Sequence, residues 1–191
     1  MLGIPRGGVI VAAEVARALA APLDVIVPRK IGAPGQPELA IAALALAGGE
    51  EILIADEGVG EQLGVTREYL AKETTRQRGE IERREALYRR GRAAPAIAGR
   101  IVLVVDDGLA TGLTVRAACE ALRRGSPKEL IVAAPVAPVE TSRDFRAHGL
   151  RLELLHAAEF FSAVGQFYTD FAEVSDQAVE QALASAARRE A

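Results

Sequence analysis

The chain has 191 residues, which is enough for one domain of ordinary size with a hydrophobic core. Half of its residues are hydrophobic and 26% are charged, which excludes global disorder, and a formal charge of −3 argues against a basic surface for nucleic acid. The single cysteine, Cys119, excludes an internal disulfide, and no apolar run approaches the ~18 residues of a membrane span, so we expect a cytoplasmic protein without a membrane partner.

Short apolar runs alternate with helical patterns at the start of the chain. Residues 2–4 predict a short strand, and apolar residues at helical spacing after Gly8 predict a helix. Residues 23–27 predict a buried strand. The glycines and prolines within residues 29–38 then predict a loop.

Two weaker strand candidates, residues 39–46 and 51–55, precede a highly charged stretch. Residues 66–92 have few apolar positions and predict a long exposed helix, which Gly79 could break. The remaining strands are predicted at residues 101–105, 130–134 and 152–155, and the remaining helices at residues 111–124, 139–147 and from 175 onward. This alternation predicts an α/β fold, in which helices flank a parallel sheet.

The strongest sign of a ligand site is the segment IVLVVDDGLATGLT, residues 101–114. Its strand would deliver Asp106 and Asp107 to the carboxyl edge of the sheet, where ligands bind. The loop that follows opens a helix, so free backbone N–H groups would meet the hydroxyls of Thr111 and Thr114 there. This combination predicts an anion site with phosphate as its occupant. The plainer alternative, a capped turn with two solvated acids, leaves the acid pair unexplained.

Two other phosphate-binding motifs do not fit this segment. Gly112 is followed by Leu113 rather than lysine, which excludes a Walker A loop, and G-x-G-x-x-G is absent. A second glycine loop, Arg6-Gly7-Gly8, also stands between a predicted strand and a helix. Together the loops suit a ligand with a phosphate at each end and a ribose between them. The acid pair also suits Mg²⁺, which prefers oxygen ligands.

Residues 101–114 resemble the phosphoribosyl pyrophosphate signature of type I phosphoribosyltransferases, an apolar strand followed by two acids and G-x-x-T-G-x-T. Residues 2–8 resemble the pyrophosphate loop of the same fold, and Arg29-Lys30 resembles the basic start of its mobile catalytic loop. Further stretches are similar to a narrower group of bacterial phosphoribosyltransferase-domain proteins without an assigned acceptor: IPRGG from residue 4, RKIGAPG from 29, PELAI from 37, RRE from 83 and AVG from 163.

This resemblance implies a Mg²⁺-dependent transferase that displaces pyrophosphate at the anomeric carbon of phosphoribosyl pyrophosphate. Asp106 and Asp107 would hold the ribose hydroxyls, directly or through Mg²⁺ and water. The 5′-phosphate would be bound by Ala110, Thr111, Gly112, Leu113 and Thr114, and the pyrophosphate by Arg6, Gly7 and Gly8. The catalytic residues would be Arg29 and Lys30, which would neutralise the leaving group as residues 31–38 close, with ordinary surface charge as the alternative.

The resemblance also implies one domain over residues 1–191, with an insertion carrying the charged helix at about 51–98 and a hood at about 156–172. Aromatic residues of the hood would either stack on the acceptor or fill the core. Hypoxanthine–guanine enzymes carry an aspartate where this chain has Ala110, so we expect a different small-molecule acceptor, with a nitrogenous heterocycle favoured. A homodimer is also expected.

The charged helix leaves a second function open, that of a regulator which senses phosphoribosyl pyrophosphate and binds RNA or DNA without catalysis. Acidic residues are interleaved with the basic ones, which favours a solvated, ion-paired helix, and no nucleic-acid partner is expected. The retained Arg29-Lys30 pair favours the enzyme. We assign no role to His148 or His156, and we expect Cys119 in the core.

Overall fold

Two sheets and six α-helices make up the computed structural model, which describes residues 1–190. In chain order the elements are β1 (Leu2–Gly3), α1 (Gly7–Leu19), β2 (Asp24–Val25), β3 (Arg29–Ala33), β4 (Gln36–Ala47), β5 (Glu50–Ala55), α2 (Glu57–Gln62), α3 (Arg67–Arg89), β6 (Ile101–Val105), α4 (Leu113–Arg124), β7 (Glu129–Pro138), α5 (Val139–Ala147), β8 (Arg151–Ala158), a 3-10 helix (Val164–Phe167) and α6 (Asp176–Glu190). Residue 191, which the predicted domain includes, lies outside the described residues.

Five strands form a parallel sheet in the order β2–β1–β6–β7–β8. β1 lies between β2 and β6, with Leu2 opposite both Asp24 and Val104. The unbroken apolar run of β6 is typical of a strand inside such a sheet, and both α1 and α4 pack against the sheet. A parallel sheet flanked by helices confirms the predicted fold class.

The prediction of a loop at residues 29–38 is wrong. This segment forms a hairpin within an antiparallel sheet of three strands, β3–β4–β5. The turn consists of Pro34 and Gly35 alone, and Gly35 has a φ of +73°, which favours glycine. Pro37 is tolerated in β4 because that part of the strand pairs with β3 only. The two weaker strand predictions are confirmed in β4 and β5.

The long charged helix is confirmed as α3, and it continues through Gly79 without a break. Thr66 caps its start, where the Oγ1 atom accepts a hydrogen bond from the Tyr69 amide at 3.1 Å. The buried face of α3 packs against β2, β3 and β4, and it includes Ile81 and Tyr88. Burial of this face holds the helix in place although most of its residues are charged.

Small and branched side chains fill the core, as the shortage of aromatic residues requires. One cluster lies between the parallel sheet, α4 and the strands β4 and β5, and a second joins α1, α3 and α6. Cys119 is buried in the first cluster, as predicted, and burial raises its pKa to about 12. Among the described residues, no helix combines the length and apolar character needed to cross a membrane.

Replacing Gly79 with alanine should stabilise the protein. A Cβ atom at this exposed helical position would meet no atom within 4 Å, and alanine favours the helix over glycine by ~0.5–1 kcal/mol. The matched control is Gly35→Ala, because Gly35 also has free space around it but needs a positive φ. Urea unfolding should show a higher midpoint for Gly79→Ala and a lower one for Gly35→Ala. Shifts in the same direction would show that backbone conformation does not decide the two outcomes.

Candidate active site

Two adjacent carboxylates lie at the carboxyl edge of the parallel sheet. β6 ends at Val105, and Asp106 and Asp107 follow it directly. Burial raises the pKa of Asp106 well above its usual range, and the negative charge of Asp107 raises it further. Burial likewise raises the pKa of Asp107. The desolvated pair would be stabilised by a bound cation or by hydroxyl donors.

The first glycine loop packs directly on this acid pair. A Cβ atom on Gly7 would lie 1.9 Å from Oδ2 of Asp107. A Cβ atom on Gly8 would lie 2.8 Å from both the Cα atom of Asp106 and the carbonyl oxygen of Val105, which are backbone atoms that cannot turn away. Glycine is therefore required at position 8, a side chain at position 7 would displace the Asp107 carboxylate, and the start of α1 faces the two carboxylates.

The second glycine loop, residues 110–114, leads into α4. The helix begins at Leu113, two residues later than predicted, and Gly112 before it has a φ of +71°. Oγ1 of Thr111 accepts a hydrogen bond from the Leu113 amide at 3.4 Å. The remaining free N–H groups of the first turn of α4 can bind an anion.

Helix α5 supports this second loop. No local sequence pattern indicates this support. Oγ1 of Thr141 donates a hydrogen bond to the carbonyl oxygen of Ala110 at 2.6 Å, and Thr141 is buried. The ring of Phe145 packs on Gly112, where a Cβ atom would lie 2.3 Å from ring atom Cε2. α5 thereby fixes both the start and the middle of the loop.

Arg6 lies beside the acid pair in a cavity of about 480 Å³ between α1 and residues 168–174. Its guanidinium group forms an ion pair with Glu173. The Tyr168 hydroxyl donates a hydrogen bond to the carbonyl oxygen of Asp107 at 2.6 Å, which ties the segment to the acid pair. Burial raises the pKa of Tyr168, and the negative charges of the acid pair raise it further. Neither Glu173 nor the hydroxyl of Tyr168 could be assigned from local sequence patterns.

The basic pair on β3 is not part of this cluster. Arg29 and Lys30 line a separate cavity of about 330 Å³ between the hairpin and α3. Nε of Arg29 donates a hydrogen bond to Oε1 of Gln77 at 3.1 Å, and Nζ of Lys30 pairs with Glu38 at 2.5 Å. The Tyr69 hydroxyl donates to the carbonyl oxygen of Gly32 at 2.9 Å, so α3 holds the hairpin where it lies.

Aromatic residues of the predicted hood form two groups, of which Tyr168 and Phe171 line the cavity that contains Arg6. Phe161 stacks on Phe167 with ring centroids 5.5 Å apart, and His156 packs against Phe167 at 5.6 Å. Phe160 is 87% exposed and Phe171 is 50% exposed, so these two residues do not fill the core. β7 and β8 are both longer than predicted, and their ends border the hood.

The acid pair fits a hard cation that is shared with a bound ligand. No group of three or more His, Cys, Asp or Glu residues within the described part of the chain could hold a metal ion alone. Asp106 and Asp107 offer carboxylate oxygens and lie next to free backbone donors for an anion. Mg²⁺ is commonly bound in this way, by one or two carboxylates together with phosphate oxygens and water.

The sequence matches the family described as phosphoribosyl transferase domain over residues 1–172. It is 38% identical over 179 residues to provisionally named phosphoribosyl transferases from the Oshkosh and H37Rv strains of Mycobacterium tuberculosis. This similarity covers 94% of the chain, which spans only 40% of the length of these relatives. The fold is similar to the crystal structure of TT1426 from Thermus thermophilus, with a TM-score of 0.78 and 42% identity over 96% of this chain and 86% of that chain.

Replacing Thr141 with valine should weaken anion binding at residues 110–114 only. Valine keeps the side-chain shape but leaves the Ala110 carbonyl without its donor, which should lower affinity for ribose 5-phosphate roughly five- to tenfold. Calorimetry should show unchanged affinity for pyrophosphate. Thr141→Ser, which keeps the hydroxyl, should have wild-type affinity for ribose 5-phosphate. Unchanged ribose 5-phosphate binding by Thr141→Val would show that α5 does not organise this loop.

Proposed function

Because this chain belongs to the phosphoribosyl transferase domain family, we propose that it is a Mg²⁺-dependent phosphoribosyltransferase that uses phosphoribosyl pyrophosphate. One observation carries the proposal: two glycine loops, each opening a helix, flank a half-buried acid pair at one edge of the sheet. This arrangement suits a ligand that has negative charge at both ends and hydroxyls in the middle. The acceptor is a small molecule, and we favour a nitrogenous heterocycle.

The substrate would span the two loops. Residues 110–114 would bind its 5′-phosphate, Asp106 and Asp107 its ribose hydroxyls, and Arg6 with the Gly7 and Gly8 amides its pyrophosphate. When bound, Mg²⁺ would supply positive charge that offsets the negative charge of the pyrophosphate. The acid pair would provide oxygen ligands for it, which its position beside the anion-binding loops supports.

The reaction would break the bond between the anomeric carbon and the pyrophosphate oxygen, with the electron pair leaving on pyrophosphate. A nitrogen lone pair of the acceptor would form the new bond, through an oxocarbenium-like state. The chain itself would contribute positioning by the two loops and stabilisation of the departing charge by Arg6. The exposed aromatic rings of residues 160–171 would cover a flat acceptor.

Arg29 and Lys30 would act after the hairpin moves toward the pyrophosphate. Closure would keep the Lys30–Glu38 pair, because both residues lie on the hairpin. It would break the two hydrogen bonds that join the hairpin to α3, Arg29–Gln77 and Tyr69–Gly32. Closure would bring two positive charges to the leaving group and exclude water from the activated sugar.

The alternative function, a regulator that binds RNA or DNA through α3, receives less support. Its arginines are largely matched by acids: Arg83 and Arg84 pair with Glu80, Arg89 pairs with Asp24 and Glu85, and Arg90 pairs with Glu180. A nucleic-acid surface needs positive charge that phosphates can reach. We therefore propose an enzyme of the cytoplasm that forms a homodimer and binds no nucleic acid.

Removing both charges of the acid pair should abolish binding without unfolding the protein. In the variant Asp106→Asn with Asp107→Asn, calorimetry should show loss of Mg²⁺-dependent binding of phosphoribosyl pyrophosphate. The thermal midpoint should stay unchanged or rise, because burial disfavours the carboxylates that are removed. Asp56→Asn, at the cap of α2, serves as the control with unchanged binding. Full affinity in the double variant would refute the proposed site.

Turnover separates the enzyme from the regulator. A panel of heterocyclic acceptors should give pyrophosphate release with the wild type, and replacing Arg29 and Lys30 with alanine should reduce the rate about a hundredfold or more while affinity changes little. If no acceptor supports release, and salt-dependent RNA binding is lost when Arg83 and Arg90 are neutralised, the regulator is the correct function.

A further inference from the structure

The packed face of α3 carries an arginine that the proposed function does not use. Gln77, Ile81, Arg84 and Tyr88 recur at helical spacing on this face, and the three residues other than Arg84 are each at most 4% exposed. The Arg84 side chain is 18% exposed, whereas that of its neighbour Arg83 is 56% exposed. Arg84 therefore lies along the packed face, and Arg83 lies on the solvent side.

Toward the start of α3, the packed face contacts Arg29 of the hairpin. Nε of Arg29 donates a hydrogen bond to Gln77, two turns before Arg84. Gln77 is neutral, so this contact does not offset the charge of Arg29. Burial lowers the pKa of Arg29, and the positive charge of Arg84 lowers it further, as expected for two guanidinium groups near each other in a poorly solvated place.

Toward the end of α3, the same face contacts the start of α6, close in sequence to the partner of Arg6. The Tyr88 hydroxyl donates a hydrogen bond to Oδ1 of Asp176 at 2.6 Å, and Asp176 lies three residues after Glu173, the partner of Arg6. Burial and Asp176 raise the pKa of Tyr88 to about 12, and the positive charges of Arg84 and Arg6 oppose this shift. Along the packed face, Arg84 thus lies between Gln77, which binds Arg29, and Tyr88, which binds Asp176.

The counterion of Arg84 is shared. Glu80 accepts hydrogen bonds from Nε of Arg83 at 2.8 Å and from Nε of Arg84 at 2.7 Å, and these two contacts lower its pKa to about 2. If Arg84 turns to another anion, Glu80 keeps Arg83 as its partner. The exchange leaves no carboxylate without a cation, so it avoids the large cost of an unpaired, partly buried charge.

We propose that Arg84 is a third arginine of the pyrophosphate site, standing between Arg6 and Arg29 and binding phosphate oxygens of the leaving group. This inference rests on the proposed function, because it assumes that Arg6 and the glycine amides hold pyrophosphate. A guanidinium group suits two phosphate oxygens side by side, and the rigid helix presents it before the hairpin closes. Arg84 should therefore contribute to pyrophosphate affinity in the open state.

A matched pair of variants tests this role in the full chain. Arg84→Gln and Arg83→Gln each remove one positive charge and one ion pair with Glu80, so they are matched in charge. Calorimetric titration with Mg²⁺–pyrophosphate should show a ten- to hundredfold weaker affinity for Arg84→Gln and wild-type affinity for Arg83→Gln. Ribose 5-phosphate should bind equally to all three proteins, which a general loosening of the fold would not allow.

A third variant guards against a folding defect. Arg84→Lys keeps the charge but loses the planar fork, so its pyrophosphate affinity should fall between those of the wild type and Arg84→Gln. Equal pyrophosphate binding by Arg84→Gln and Arg83→Gln would overturn the inference alone. A wild-type protein that binds neither pyrophosphate nor phosphoribosyl pyrophosphate would overturn the proposed function and this inference with it.

Discussion

The close packing of Gly7 and Gly8 on Asp106 and Asp107 is the constraint on which the site depends. β1 and β6 are neighbours in the sheet, so the segments that follow them must share one small volume. A Cβ atom at Gly8 would clash with the backbone at Asp106 and one at Gly7 would displace the Asp107 carboxylate, so the two glycines bring the start of α1 to the acid pair. The same packing removes water from two carboxylates and raises their pKa values, so the site is least stable when nothing balances its charge.

Local patterns were sufficient to predict the parts of this site that are continuous in sequence. Residues 101–114 contain a buried strand, two acids and a helix start within one segment, and the structure reproduces that order. The glycines and prolines of residues 29–38 predict a loop, but only Pro34 and Gly35 form the turn. Gly32 and Pro37 lie in strands because β3 and β4 pair with each other, which no local pattern shows. The roles of Thr141 and Tyr168 could not be predicted from local patterns, since their hydrogen-bond partners lie 31 and 61 residues away in the sequence.

The number of charged residues in α3 does not indicate which of them attach the helix to the rest of the protein. Several of its ion pairs join residues three or four positions apart, and exposed pairs of this kind contribute little to stability. Contacts of a different kind attach the helix to the protein, namely the buried Ile81 and Tyr88 and the ion pair of Arg89 with Asp24 on β2. Sequence alone could predict a helix with interleaved charges but not which arginine lies inward.

The extension of β7 and β8 forms a two-stranded ribbon whose backbone pairing is independent of the side chains that it exposes. These strands stay paired beyond the end of β6, where Val136 lies opposite His156, and the Val136 carbonyl accepts a hydrogen bond from the Leu109 amide at 2.9 Å. The ribbon is thus built from backbone hydrogen bonds, which do not depend on side-chain identity. Substitutions at exposed positions of this ribbon can therefore change the surface beside the acid pair without changing the two glycine loops.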